Sequence, residues 1–235
     1  FSKKDKKQES TNLADRSDYP SGPIAGRFFS AVDSAASVQG PAVRSYVKKL
    51  ESKHSAKSLE EKQQILDKHF RTLATGSGLG TGGLAAMLGI GTLLSLGSIA
   101  GESVVFLEAA AWYILASAYL RGDDIKSPER RRALVLVVLT GSKGSALVDT
   151  FVGDLNSVAG MRSAASLSRF SGPTLSGING RLTKLFTKQV TKRLKWAWVS
   201  KLMPMGIGAV LGTTANRKLA KQVIEHAGEQ LSPLT

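Results

Sequence analysis

The chain contains no cysteine, which removes disulfides, thiolate catalysis and cysteine-ligated zinc and fits a reducing cytoplasm. Stability must then come from packing, and 42% apolar residues over 235 positions supply enough material for a core. Histidine is nearly as scarce: His54, His69 and His226 are the three in the chain. The first two fall in Lys-rich stretches. His226 stands beside Glu225 with Glu229 a turn further on, but no H-E-x-x-H and no second ligand-rich segment accompany it. Ordinary surface histidines are expected, with no metal and no cofactor. No G-x-S-x-G is present to expose a serine nucleophile, so no catalytic residue is assigned and the chain is read as a non-enzyme.

Acidic charge is also in deficit. Eighteen Asp and Glu against 32 Lys and Arg leave a formal charge of +14, which calls for an anionic counterpart: anionic lipid, nucleic acid or an acidic protein. Alternating β patterns are rare and internal repeats are absent. Residues 1–40 are rich in Lys, Ser, Asp, Gly and Pro and are too polar at the start for a secretory signal, so a disordered or extended tail is expected there.

What is present is helical punctuation. In PAVRSYVKKLESK, Pro41 suits a first helical position, and Val43, Tyr46, Val47 and Leu50 share one face. In SLEEKQQILDKHFRTLA, Ser58 and Glu61 form a capping box ahead of the apolar stripe Leu59, Ile65, Leu66, Phe70 and Leu73. Thr72 to Gly101 carries no formal charge over thirty residues, nine of them glycine, and reads as a loop leading into one apolar helix around 84–99. GESVVFLEAAAWYILASAYLRG predicts a second apolar helix, where Glu102 and Glu108 disfavour a lipid-facing span. In SPERRRALVLVVLTG, Ser127 caps, Pro128 starts and Gly141 stops a helix apolar on every side. A further helix is expected in GSALVDTFVGDLNSVAG, then a loop broken at Pro173, then a long helix from about Gly177 to Met203.

The glycines of PMGIGAVLG could be taken for a phosphate cradle. The G-x-G-x-x-x-G spacing of Gly206, Gly208 and Gly212 is one residue too long for the dinucleotide fingerprint, and a basic amphipathic segment rather than a strand precedes it. Close helix packing is the better reading for these three and for Gly89 and Gly91. Two carboxylates need an explanation. Glu102 suits a helix start, and Glu108 is expected to pair with Arg130, Arg131 or Arg132, the alternative being a functional polar group inside an apolar bundle.

The strongest functional signal is RLTKLFTKQVTKRLKWAWVSK. Arg181, Lys184, Lys188, Lys192, Arg193, Lys195 and Lys201 bring seven cations against no acid, with Trp196 and Trp198 among them. Such a helix can bury its apolar side while its lysine stems reach anionic headgroups and its Trp rings settle at the interface. A solvated face on a core helix and a nucleic-acid surface are the alternatives.

Taken together these segments resemble the EcsC family of bacterial proteins. The resemblance rests on Pro204, Gly206, Gly208, Gly212 and Asn216 in PMGIGAVLGTTANRKLAKQVIEHA. It also rests on the order of a glycine-rich apolar helix, Glu102, an apolar helix ending in Tyr119 and Gly122, and an acidic turn before an Arg-rich helix. RGDD departs from the family's Tyr-Gly pair at that turn. The resemblance implies an α-helical, membrane-associated protein without a defined activity, and it marks Asn216 as a functional polar position.

The expectation is therefore an all-α multi-helix bundle of about eight helices with glycine-rich apolar members. Residues 1–40 would be a tail, 41–230 the helical domain and 231–235 a C-terminal tail. It would lie on the cytoplasmic face of a membrane, or in the cytoplasm, binding anionic lipid or a membrane complex through the basic helix. The alternatives are a subunit or scaffold of an assembly, or a homo-oligomer, using glycine-rich faces, and a nucleic-acid-binding protein.

Overall fold

A computed structural model describes residues 40–75, 101–153, 163–200 and 208–234; for 101–105, 151–153, 190–200 and 208–215 it describes the backbone alone. Among the described residues the chain is all-α, with eight helices and no strand. They are α1 (40–53), α2 (Leu59–Ala74), α3 (Gly101–Leu120), α4 (Pro128–Thr140), α5 (Ser142–Gly153), α6 (Ser163–Ser168), α7 (Gly172–Ser200) and α8 (Gly208–Gln230). The expected helix around 84–99 and the N-terminal tail lie outside these residues.

Local chemistry sets the helix ends. The Ser58 hydroxyl accepts from the Glu61 amide at 3.2 Å and the Glu61 carboxylate accepts from the Ser58 amide at 2.9 Å, so the capping box is complete in both directions. Ser127 caps α4 through the Arg130 amide at 3.1 Å, Pro128 opens the helix, and Gly141 ends it at a φ of 61°. One boundary differs from the sequence reading: α7 begins at Gly172, so Pro173 sits in its first turn instead of in a loop. Proline is tolerated there because the first-turn amide it lacks has no partner within the helix. The short α6 carries no sequence signal, being a single six-residue stretch of Ser, Ala and Leu.

Burial follows the stripes. Val43, Tyr46, Val47 and Leu50 of α1 and Leu66, Phe70 and Leu73 of α2 are buried, with Leu59 and Ile65 packed at the rim. In α4 every residue from Ala133 to Val138 is enclosed, because this helix is the hub: it touches α3, α5, α6, α7 and α8 and packs most extensively against α7. A helix surrounded on all sides must be apolar on all sides. α3 is nearly as deeply set, with Leu107 and the run Ala109–Ala116 buried against α2, α4 and α8. Among the described residues no helix is long and apolar enough to cross a membrane.

Candidate functional site

The basic segment lies on α7, and its orientation is fixed from both ends of α4. Asn179 donates to the Glu129 carbonyl at 2.9 Å, and ten residues later Gln189 donates to the Thr140 carbonyl at 3.4 Å, so α7 runs alongside α4 in the same direction. Leu175, Ile178, Leu182 and Phe186 project into the core between these ties. At about 100° per residue, Arg181, Lys184 and Lys188 then share an arc of about 60° on the other side, and all three are exposed. Leu182 and Phe186 thus give the basic segment a side that is held in the core. Lys192, Arg193, Lys195, Trp196 and Trp198 continue along the α7 backbone, but their side chains lie outside the described residues, as does Lys201 altogether.

Of the packing glycines, Gly89, Gly91 and Gly206 lie outside the described residues. Gly208 and Gly212 lie in the first turns of α8, α7 ends at Ser200, and the residues between the two helices lie outside those described. Close approach of side chains to the backbone occurs at two glycines that the sequence did not mark for packing. A Cβ on Gly40 would stand 3.1 Å from the Arg131 guanidinium, and one on Gly141 would stand 2.5 Å from the His226 ring.

The carboxylates behave differently from expectation. Glu102 stands in the first turn of α3, its side chain outside the described residues. Glu108 is 2% exposed, and its Oε2 has no hydrogen-bond partner. The arginine partner expected for it is not made. Arg130 pairs with Asp124 at 3.0 Å, and Arg131 donates to the Ile125 and Lys126 carbonyls at 2.9 and 2.8 Å. The reason is distance along the helix: Glu108 lies about 18 Å from the Leu120 end of α3, whereas these arginines stand in the first turn of α4 close to that end. Burial pushes the Glu108 carboxyl up to about 7. The indole Nε1 of Trp112, one turn away and fully buried, likewise has no partner. Asn216, on α8, is half-buried.

A polar network that the sequence reading missed fastens α2 to α3. Tyr113 donates to Asp67 at 2.8 Å, Gln63 donates to Asp67 at 2.7 Å and to the Tyr113 oxygen at 3.1 Å, and Ser117 donates to Gln63 at 2.9 Å. Arg121 donates to Gln63 and Ser117. The available signal was helical spacing: Gln63 and Asp67 are four apart on one helix, Tyr113 and Ser117 four apart on the next, and Arg121 follows four later, just past its end. Burial first, then the neighbouring Asp67, raise the Tyr113 phenol well above its usual range. The network ties Gln63 and Asp67 of α2 to Tyr113 and Ser117 of α3 and so fixes the register of the two helices.

Among the described residues no three His, Asp or Glu side chains gather as metal ligands. His226 contacts the Val138 carbonyl at 3.1 Å, and Glu225 pairs with Lys221 at 3.6 Å. No family model matches the chain, nor does any curated protein or solved structure.

Proposed function

We propose that this is a non-enzymatic, EcsC-like helical protein that docks on an anionic membrane surface, at its cytoplasmic face, through the basic side of α7. The observation that carries the reading is the exposed row Arg181, Lys184 and Lys188 on a helix whose opposite side is held in the core. That helix contains no acid, and the chain as a whole has a formal charge of +14. Cations on such a rigid row approach headgroups without the entropic cost of ordering a loose segment, each contributing about 1 kcal/mol near an anionic surface. The EcsC-like assignment rests on the segments quoted above and their order along the chain.

Flotation with neutral and anionic vesicles at low and high salt tests the reading, alongside a variant carrying Lys188→Glu, Lys192→Glu and Lys195→Glu. The expected result is flotation with anionic vesicles only, weakened by several hundred millimolar salt and abolished in the variant. Salt-insensitive binding, no binding, or an equal response from the variant would overturn it, and retention of DNA or RNA at physiological salt in place of vesicles would transfer the basic row to nucleic acid.

A further inference from the structure

A hollow of about 570 Å³ opens beside the connection between α3 and α4, within the size range of small-molecule sites. Its wall carries both signs of charge: Arg44 of α1 and Lys126 are the cations, Asp123 and Asp124 the anions, and Tyr119 contributes a phenol. Oppositely charged side chains this close usually neutralise one another. Here, among the described residues, neither Arg44 nor Lys126 forms an ion pair with either aspartate; Asp124 pairs with Arg130 instead.

The aspartates are held by other groups. Asp123 accepts from the Ser232 hydroxyl at 2.5 Å on one oxygen and from the Ser232 amide at 3.2 Å on the other. Asp124 accepts from the Lys126 amide at 2.9 Å on one oxygen and from Arg130 at 3.0 Å on the other. Each carboxylate oxygen is thereby fixed in place with a second lone pair still open to a donor.

Arg44 is placed in the opposite way. It is half-buried yet has no hydrogen-bond or ion-pair partner among the described residues. Its charge acts instead on another cation: after burial, Arg44 is the next cause holding the Arg131 guanidinium below its usual range. Arg131 is clamped by two carbonyls and roofed by Gly40, one turn before Arg44 on α1. Two neighbouring guanidiniums repel, and an anion arriving at the accessible one offsets the repulsion.

We propose that this hollow binds an aminoalkyl phosphate, its phosphate taken by Arg44 and Lys126 with the Tyr119 hydroxyl and its ammonium by Asp123 and Asp124. Soluble phosphoethanolamine and the headgroup of phosphatidylethanolamine share this chemistry. The site lies on α1 and the α3–α4 connection, apart from the basic row of α7, and it selects a zwitterion where that row selects net negative charge.

Titration calorimetry of the whole chain with phosphoethanolamine, inorganic phosphate and ethanolamine tests the proposal, with circular dichroism and melting curves as checks on folding. Phosphoethanolamine is expected to bind saturably and at least about tenfold more tightly than either half. Arg44→Ala, and independently the exposed Lys126→Ala, should each weaken it about tenfold or more, as loss of a charge-assisted contact does. Asp124→Asn should erase the preference for phosphoethanolamine over phosphate. Neutral vesicles with and without phosphatidylethanolamine separate the sources: binding that needs this lipid and falls in Arg44→Ala marks a headgroup site, whereas soluble binding alone marks a small-molecule site. The Lys188, Lys192, Lys195 variant should keep full affinity for phosphoethanolamine, so failure of membrane docking and failure of this site read out separately. No binding of phosphoethanolamine to the folded chain, or equal affinity in the Arg44→Ala and Lys126→Ala variants, would overturn the proposal.

Discussion

Ser232 closes on Asp123 across 109 positions of sequence, its hydroxyl donating to one carboxylate oxygen at 2.5 Å and its amide to the other at 3.2 Å. The residues after α8, a tail by sequence, are thus fastened to the connection after α3. Just before them Leu231 is fully buried, and the Gln230 side-chain oxygen accepts from Ser145 at 2.5 Å and Ser163 at 2.6 Å. The end of the last helix ties α5, α6 and the α3–α4 connection together.

Removing that fastening should therefore cost global stability. Leu231→Ala deletes a fully buried side chain, and an expected loss of about 2–5 kcal/mol follows from lost transfer energy plus the cavity. Urea unfolding of both chains measures it; a difference below about 0.5 kcal/mol, the size of a surface change, would show that the terminus does not pack in solution.

Glu108 makes stability depend on pH in a known direction. Its carboxyl rises from an ordinary 4.5 to about 7 in the folded chain because burial disfavours the charge. Below pH 4.5 both folded and unfolded chains hold the proton and the group contributes nothing. Between 4.5 and about 7 the unfolded chain has released a proton that the folded chain keeps, so stability falls as pH rises, and above 7 the loss is complete. Glu108→Gln should melt at the same temperature as the parent near pH 4.5 and higher near pH 8, by about 2–4 °C for each kcal/mol recovered. An equal difference at both pH values would refute the linkage.

Gly141 ends α4 in a backbone region that side chains avoid, and a methyl there would stand 2.5 Å from the His226 ring. Gly141→Ala should destabilise by at least about 2 kcal/mol, combining backbone strain with displacement of that ring. Adding His226→Ala removes the obstruction and leaves the strain, so the double variant should unfold at a higher urea concentration than the sum of the two single effects implies. Strict additivity would mean that ring and glycine do not meet.

Much of the helical framework was written in local chemistry. Ser58 with Glu61, Ser127 with Pro128, and Gly141 each act within a few residues, so sequence alone placed α2 and α4 and the faces that Val43, Leu66 and Phe70 bury. It also marked α4 as a helix enclosed on every side and gathered Arg181, Lys184 and Lys188 in one basic segment, whose exposed face the structure shows. What depended on residues far apart was decided only by tertiary structure. Arg130 and Arg131 were drawn to Asp124 and to backbone carbonyls at the start of α4, leaving Glu108 unpaired because it lies too far along α3. Gln63 met Tyr113, Ser232 met Asp123, and Arg44 was set beside Arg131 in the wall of a hollow. Helix period and capping are functions of nearest neighbours and can be read along the chain, whereas the partner of a polar side chain depends on how whole helices come to rest against one another.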